Sequence, residues 1–117
     1  MTMTVSEFRK LALALPGASE GSHMGHADFR VAGKVFATLG YPDDGHGAVM
    51  LPPLEQDLLL QRHAKAFKPA PGAWGKAGST IVTLKAAPKS VVALALQSAW
   101  KRRATKEASS TAARKRP

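Results

Sequence analysis

The segment DFRVAGKVFATL, residues 28–39, restricts the possible folds more than any other part of this sequence. Apolar and polar side chains alternate along it with the two-residue period of a β-strand. The dipeptide AG interrupts the alternation, and Gly33 can adopt the positive φ that a tight hairpin loop needs. The pattern therefore predicts a β-hairpin in which Phe29 and Val31 share one face while Arg30 lies on the other. In the second strand it separates Val35, Ala37 and Leu39 from Lys34, Phe36 and Thr38.

Helical patterns lie on both sides of this hairpin. Near the start of the chain, Thr4 and Glu7 have the spacing of a capping box, and apolar residues follow at helical spacing until Pro16. A second helix is predicted from Pro53 to about His63. A final helix follows Pro88, and its apolar stripe comprises Val92, Leu96, Ala99 and Arg103, widened by Val91, Leu94 and Ala95.

Further strands complete the predicted architecture. A short strand is predicted at AVML, residues 48–51, and the segment KPAPGAWGKAGSTIVTL, residues 68–84, is expected to be extended. The order is then helix, antiparallel strands, short helix, strands and helix. This order predicts an α+β fold, in which helices pack on one face of a meandering antiparallel sheet.

The length and composition indicate one soluble domain. A chain of 117 residues can build one hydrophobic core without a metal ion or a disulfide. The sequence has no cysteine, which excludes a disulfide scaffold and a thiol nucleophile. No apolar run approaches the roughly 20 residues that span a bilayer, and the N-terminus lacks the pattern of a signal peptide. We therefore expect a cytoplasmic monomer with no cofactor and no membrane partner.

Positive charge is concentrated at the C-terminus. Residues 101–117 contain seven lysines and arginines against one glutamate, which gives +6 of the total net charge of +9. We therefore divide the chain into a domain over residues 1–106 and a basic tail over residues 107–117. The tail is expected to be disordered because it has little apolar surface to bury. A basic tail would strengthen binding to any nucleic acid by releasing counterions, and a solubilising extension is the alternative.

Three separated segments together resemble the MmcQ/YjbR family of small bacterial proteins. They are LALPGASEGSHMGHADFRVAGKVFATL, LPPLEQDLLL and APGAWGKAGSTIVTL, and the resemblance extends over about residues 5–101. It implies a CyaY-like fold, an α-β sandwich shared with frataxins. It also implies DNA binding by a protein whose paired hairpins act as wings. The sequence departs from the family at Ser79, where relatives often have an aromatic residue.

The leading functional hypothesis is a non-enzymatic DNA-binding protein of low sequence specificity. Two predicted hairpin loops place a lysine beside glycines, where the ammonium group and backbone amides could approach phosphates. Trp74 could stack on a base, or it could instead cap the core. The residues predicted to bind nucleic acid are Arg30, Lys34, Trp74, Lys76, Lys101, Arg102 and Arg103.

Binding or sequestration of a small, drug-like molecule is the alternative hypothesis. The family name suggests drug resistance, and a pocket between the sheet and a loop would be lined by His23, His26, Arg30 and Trp74. His23 and His26 also have an H-x-x-H spacing, but a metal site would need a further ligand such as His46 or Asp28. We predict no metal site, and we expect the two imidazoles to bind loop backbone.

The sequence gives little support for iron handling or for enzymatic catalysis. Iron handling of the frataxin kind needs an acidic ridge, whereas the first helix has Glu7 followed by Arg9 and Lys10. The eight acidic residues form no paired-carboxylate pattern, and no nucleophile-base or phosphate-loop motif is present. The sequence therefore predicts a protein that is not an enzyme.

Overall fold

The computed structural model describes residues 3–23, 25–40 and 43–115, except for the side chains of His23 and of residues 105–115. This part of the chain forms six strands and four helices. The strands are β1 Ser19–His23, β2 His26–Val31, β3 Lys34–Leu39, β4 His46–Met50, β5 Phe67–Pro69 and β6 Ser79–Thr83. The helices are α1 Val5–Leu13, α2 Pro53–Arg62, α3 Gly72–Lys76 and α4 Lys89–Lys115.

The strands form one antiparallel sheet in the order β1-β2-β3-β4-β6-β5. Helix α4 crosses β2, β3 and β4, and α1 packs beside α4. The core lies between these helices and the sheet, and its largest fully buried side chains include Phe8, Phe29, Phe36, Leu51 and Leu96. This arrangement confirms the predicted α+β fold with an antiparallel sheet.

Local sequence signals set the ends of the helices. The predicted capping box of α1 is present, because the backbone N–H of Glu7 donates to Thr4 Oγ1 and the N–H of Thr4 donates to Glu7 Oε1. Helix α2 ends at Arg62, close to the predicted boundary. In α4 the predicted stripe is buried at Val92 and Leu96, but Leu94 is 65% exposed and does not belong to the core.

A β-bulge in the first predicted hairpin changes which side chains reach the core. Phe29 pairs with Ala37, whereas the next residue, Arg30, pairs with Val35. Phe36 is therefore the extra residue of the bulge, and it is fully buried with Ala37. The strict alternation predicted for β3 was wrong at this point, because a bulge places two successive residues against one residue of the partner strand.

The second predicted hairpin is also different from the extended segment expected from the sequence. Strands β5 and β6 are antiparallel, but residues 72–76 between them form the one-turn helix α3. Gly75 permits this turn, because a Cβ there would lie 1.9 Å from the carbonyl oxygen of Ala70. The glycines of this loop thus allow close backbone packing. The alternation of apolar and polar side chains, on which the prediction of extended structure depends, does not reveal such packing.

The segment predicted to be a disordered tail continues helix α4. The backbone of α4 is helical to Lys115, and the division into a domain over residues 1–106 and a disordered tail over residues 107–117 stays a prediction. Alanine, lysine, glutamate and arginine have high helix propensity, which favours continuation of an existing helix even without an apolar stripe. Residues 116 and 117, and the side chains from residue 105 onward, lie outside the described part of the chain.

Candidate functional site

The β2–β3 loop and the β5–β6 loop lie at the same end of the sheet. Strand β3 begins at this end, β4 finishes there with Met50, and Met50 pairs with Ser79, the first residue of β6. Helix α4 returns to the same end. We call this region the basic end, because it carries the cations Arg30, Lys34, Lys76, Lys101, Arg102 and Arg103.

The tip of the β2–β3 hairpin is the two-residue loop predicted from the sequence. Ala32 and Gly33 have φ values of 53° and 77°, and positive φ at both central residues is the requirement of a type I′ turn. Lys34 follows directly and is exposed. The hairpin therefore carries an ammonium group next to a tight turn at the basic end.

Arg30 is bound to a buried carboxylate. Its Nε and Nη2 donate to the two carboxylate oxygens of Asp28 at 2.9 and 3.1 Å. Asp28 is fully buried, whereas 42% of the Arg30 side chain is exposed. The hydrogen bonds and the charge of Asp28 raise the pKa of Arg30. This guanidinium thus neutralises Asp28 and still has donors that face the solvent.

Trp74 is 75% exposed on α3, although the helix itself is firmly held. The two N–H groups of the buried Gln56 amide are shared among three acceptors, the carbonyl oxygens of Gly75 and Ser79 and Thr80 Oγ1, which lie 3.0 to 3.1 Å from Nε2. These bonds connect α2 to the C-terminal part of α3 and to the start of β6. An exposed indole on a fixed backbone is suited to contact with a partner, because little conformational entropy is lost on binding.

Arg102 connects α4 to the loops of the basic end, and Arg103 connects it to strand β3. Nη1 of Arg102 donates to the carbonyl oxygens of Leu51 and Ala77. Nε of Arg103 donates to the carbonyl oxygen of Val35 at 3.1 Å. Burial, and secondarily the charge of Arg102, lowers the pKa of Arg103. Both arginines therefore have a structural role that the sequence prediction did not include.

Carboxylates offset part of the charge at the basic end. Helix α2 starts there and carries Glu55 and Asp57 in its first turns, and Asp28 is paired with Arg30. Glu55 accepts a hydrogen bond from the hydroxyl of Ser98. Glu20 at the start of β1 also lies at this end, and it forms an ion pair with Arg9. Among the described side chains the cations here still outnumber the carboxylates, and Lys34 and Lys76 are exposed at the two loops.

The residues predicted to line a small-molecule pocket lie far apart. His26 begins β2, at the opposite end of that strand from the hairpin tip, whereas Trp74 lies beyond β3 and β4 in the β5–β6 loop. His23 pairs with His26 across the β1–β2 turn, and its side chain lies outside the described part of the chain. Among the described residues, no three histidines, aspartates or glutamates are close enough together to hold a metal ion.

Sequence reasoning missed Gln56, whose amide holds α3. A glutamine in a helix usually faces the solvent, and its acceptors lie 19 to 24 residues away along the chain. The one signal in the sequence is its spacing of three and four residues from Leu59 and Leu60, which places it on the same face of the helix as these two leucines. This signal suggests burial, but it does not identify the groups that the amide contacts.

Comparison with known proteins agrees with this architecture. A family model described as YjbR matches residues 13–102. The chain is also similar to the crystal structure of Deinococcus radiodurans protein DR2400, which is described as domain DUF419. The TM-score is 0.72 at 20% sequence identity, over 85% of this chain and 77% of that chain. No curated protein matches the chain. None of the described helices is both long and apolar enough to cross a membrane.

Proposed function

The chain belongs to the YjbR family, and from the charge and shape of the basic end we propose that it is a DNA-binding protein without enzymatic activity. It would bind mainly through the phosphate backbone, with low sequence specificity. A DNA partner would place the protein in the bacterial cytoplasm, the compartment expected from its cysteine-free sequence.

One observation supports this proposal above the others. Cations from three separate parts of the chain meet at one end of the sheet. These parts are the β2–β3 hairpin, the β5–β6 loop that contains α3 (the α3 loop) and helix α4. Lys34 and Lys76 are exposed on two loops that the fold holds in place. Fixed loops with exposed ammonium groups are favourable for phosphate contact, because binding orders few additional groups.

The spacing of the two loops is also suited to duplex DNA. Strands β3 and β6 are separated by one strand, so their backbones are about 10 Å apart at a strand spacing of about 4.8 Å. The major groove of B-DNA is about 12 Å wide. Lys34 and Lys76 would then contact phosphates on the two sides of one groove.

Trp74 would add a contact that does not depend on charge. It lies two residues before Lys76 on α3, and its indole is exposed. Base and sugar surfaces stack on aromatic rings with little sequence preference. Trp74 would therefore raise the affinity for DNA without creating a sequence requirement.

We expect the double variant Lys34→Gln, Lys76→Gln to bind DNA more weakly and with a smaller dependence on salt. Each lost phosphate contact should reduce the slope of log K against log salt concentration by about one. The measurement is an anisotropy titration of a fluorescein-labelled duplex of mixed sequence at several salt concentrations. The matched control is Lys65→Gln, Lys85→Gln, which removes the same charge from exposed positions at the opposite end of the sheet.

Two results would contradict the proposal. Equal weakening by both double variants would mean that only the net charge matters, and that the basic end is not a site. A chain that ends at Arg103 provides the second test, because it keeps the basic end and lacks the C-terminal part of α4. Loss of all binding in this shortened chain would assign the function to residues 104–117.

A further inference from the structure

Helices α2 and α4 leave an apolar groove between them. They run antiparallel, since Ser98 Oγ donates to Glu55 Oε1 at one end of the groove, whereas Arg62 and Val91 line the other end. The groove has a volume of about 280 Å³ and continues for about two turns of each helix. Its apolar lining comes from Leu51, Leu58, Leu59, Val91, Leu94 and Ala95. We call it the α2–α4 groove.

Two leucines that line this groove, Leu58 and Leu94, and the neighbouring Leu54 on α2 are unusually exposed. Leu54 and Leu58 on α2 are 75% and 48% exposed, and Leu94 on α4 is 65% exposed. Leu54 precedes Leu58 by one helical turn, so the two side chains form a ridge along α2. An apolar ridge beside an apolar groove on one surface is typical of a protein interface.

This surface is complementary to itself. Leu58 of the ridge lines the edge of the groove, and Leu54 lies one turn before it on α2. A two-fold axis perpendicular to α2 would place the ridge of each chain in the groove of the other, which is the requirement of an isologous interface. We propose that the α2–α4 groove binds a second copy of this chain.

The charges along α2 favour the same arrangement. Glu55 lies near the start of α2 and Arg62 at its end, both on the side of the helix that lines the groove. A two-fold axis makes the two α2 helices antiparallel, so that Glu55 of each chain lies opposite Arg62 of the other. The dimer departs from the monomer expected from the sequence, and it is independent of the proposed DNA binding.

Sedimentation velocity of the full chain over a wide range of concentrations tests this proposal. We expect a dimer with twice the chain mass of 12.4 kDa. Leu58→Glu should yield a folded monomer, because the side chain is already half-exposed and its charge would face the second copy. The matched control is Leu13→Glu on α1, which has comparable exposure, lies outside the groove and should leave the dimer intact.

A charge exchange adds a second test that does not depend on the leucines. Arg62→Glu should raise the dimer dissociation constant at least about tenfold, and Glu55→Arg combined with Arg62→Glu should restore much of the affinity. The proposal is overturned if the natural chain is monomeric at all concentrations, or if its dimer persists in Leu58→Glu. Dissociation of the dimer by Leu13→Glu to the same extent would also overturn it.

Discussion

Replacement of Gln56 by glutamate is expected to destabilise the protein by about 3 kcal/mol at neutral pH. The amide nitrogen of Gln56 is surrounded by three oxygen acceptors, those of Gly75, Ser79 and Thr80. A carboxylate at this position would bring negative charge against these acceptors in a site that is 5% exposed. It could not donate a hydrogen bond unless it were protonated.

This destabilisation should depend on pH in a defined direction. Burial and the neighbouring acceptors would raise the pKa of the introduced carboxyl in the folded state above its unfolded value of about 4.3. The protonated group can donate one hydrogen bond, so the variant should be closest to the natural chain in stability below that unfolded pKa. The stability is then lost as the pH rises toward and through the raised folded pKa.

Urea unfolding of the variant and the natural chain at several pH values measures this effect. Gln61→Glu is the matched control, since Gln61 is exposed on the same helix and its replacement should change the free energy of unfolding by less than about 0.5 kcal/mol. A pH-independent loss in Gln56→Glu would show that the amide bonds to α3 and β6 are not what stabilises this region.

The sequence predicts those parts of the fold that depend on neighbouring residues. The capping box of α1, the tight turn at Gly33 and the α2 boundary each depend on residues within four positions of one another. Strand β1 was not predicted, because SEGSH has neither apolar alternation nor β-branched residues. It is a strand because it pairs with β2 at the edge of the sheet.

The candidate site was predicted in its residues but not in its geometry. Lys34, Trp74 and Lys76 could be recognised as exposed polar or aromatic residues near glycines. Their placement at one end of the sheet follows from the strand order and from the long-range bonds of Gln56 and Arg102.

The exposed leucines of the α2–α4 groove were missed for another reason. Leu94 was assigned to the widened core stripe, although it lies two residues from both Val92 and Leu96 and therefore on another side of α4. The structure places it 65% exposed at the groove.

Gly78→Ala is expected to cause the largest loss of stability, at least about 4 kcal/mol, because two separate costs coincide at this position. Gly78 has a φ of +114°, which residues with a Cβ rarely adopt. A Cβ would also lie 1.7 Å from the carbonyl oxygen of Leu51 and 2.7 Å from Nη1 of Arg102. The backbone of the α3 loop would have to move away from β4.

Gly33→Ala separates these two costs. Gly33 has a φ of +77°, but no atom lies within 4 Å of the position of an added Cβ. Its replacement should therefore cost only the backbone strain, about 1 to 2 kcal/mol. Urea unfolding of both variants gives the difference, which measures the close approach of Gly78 to Leu51. Losses of equal size would mean that the α3 loop shifts freely, and Trp74 and Lys76 would then not be held in position at the basic end.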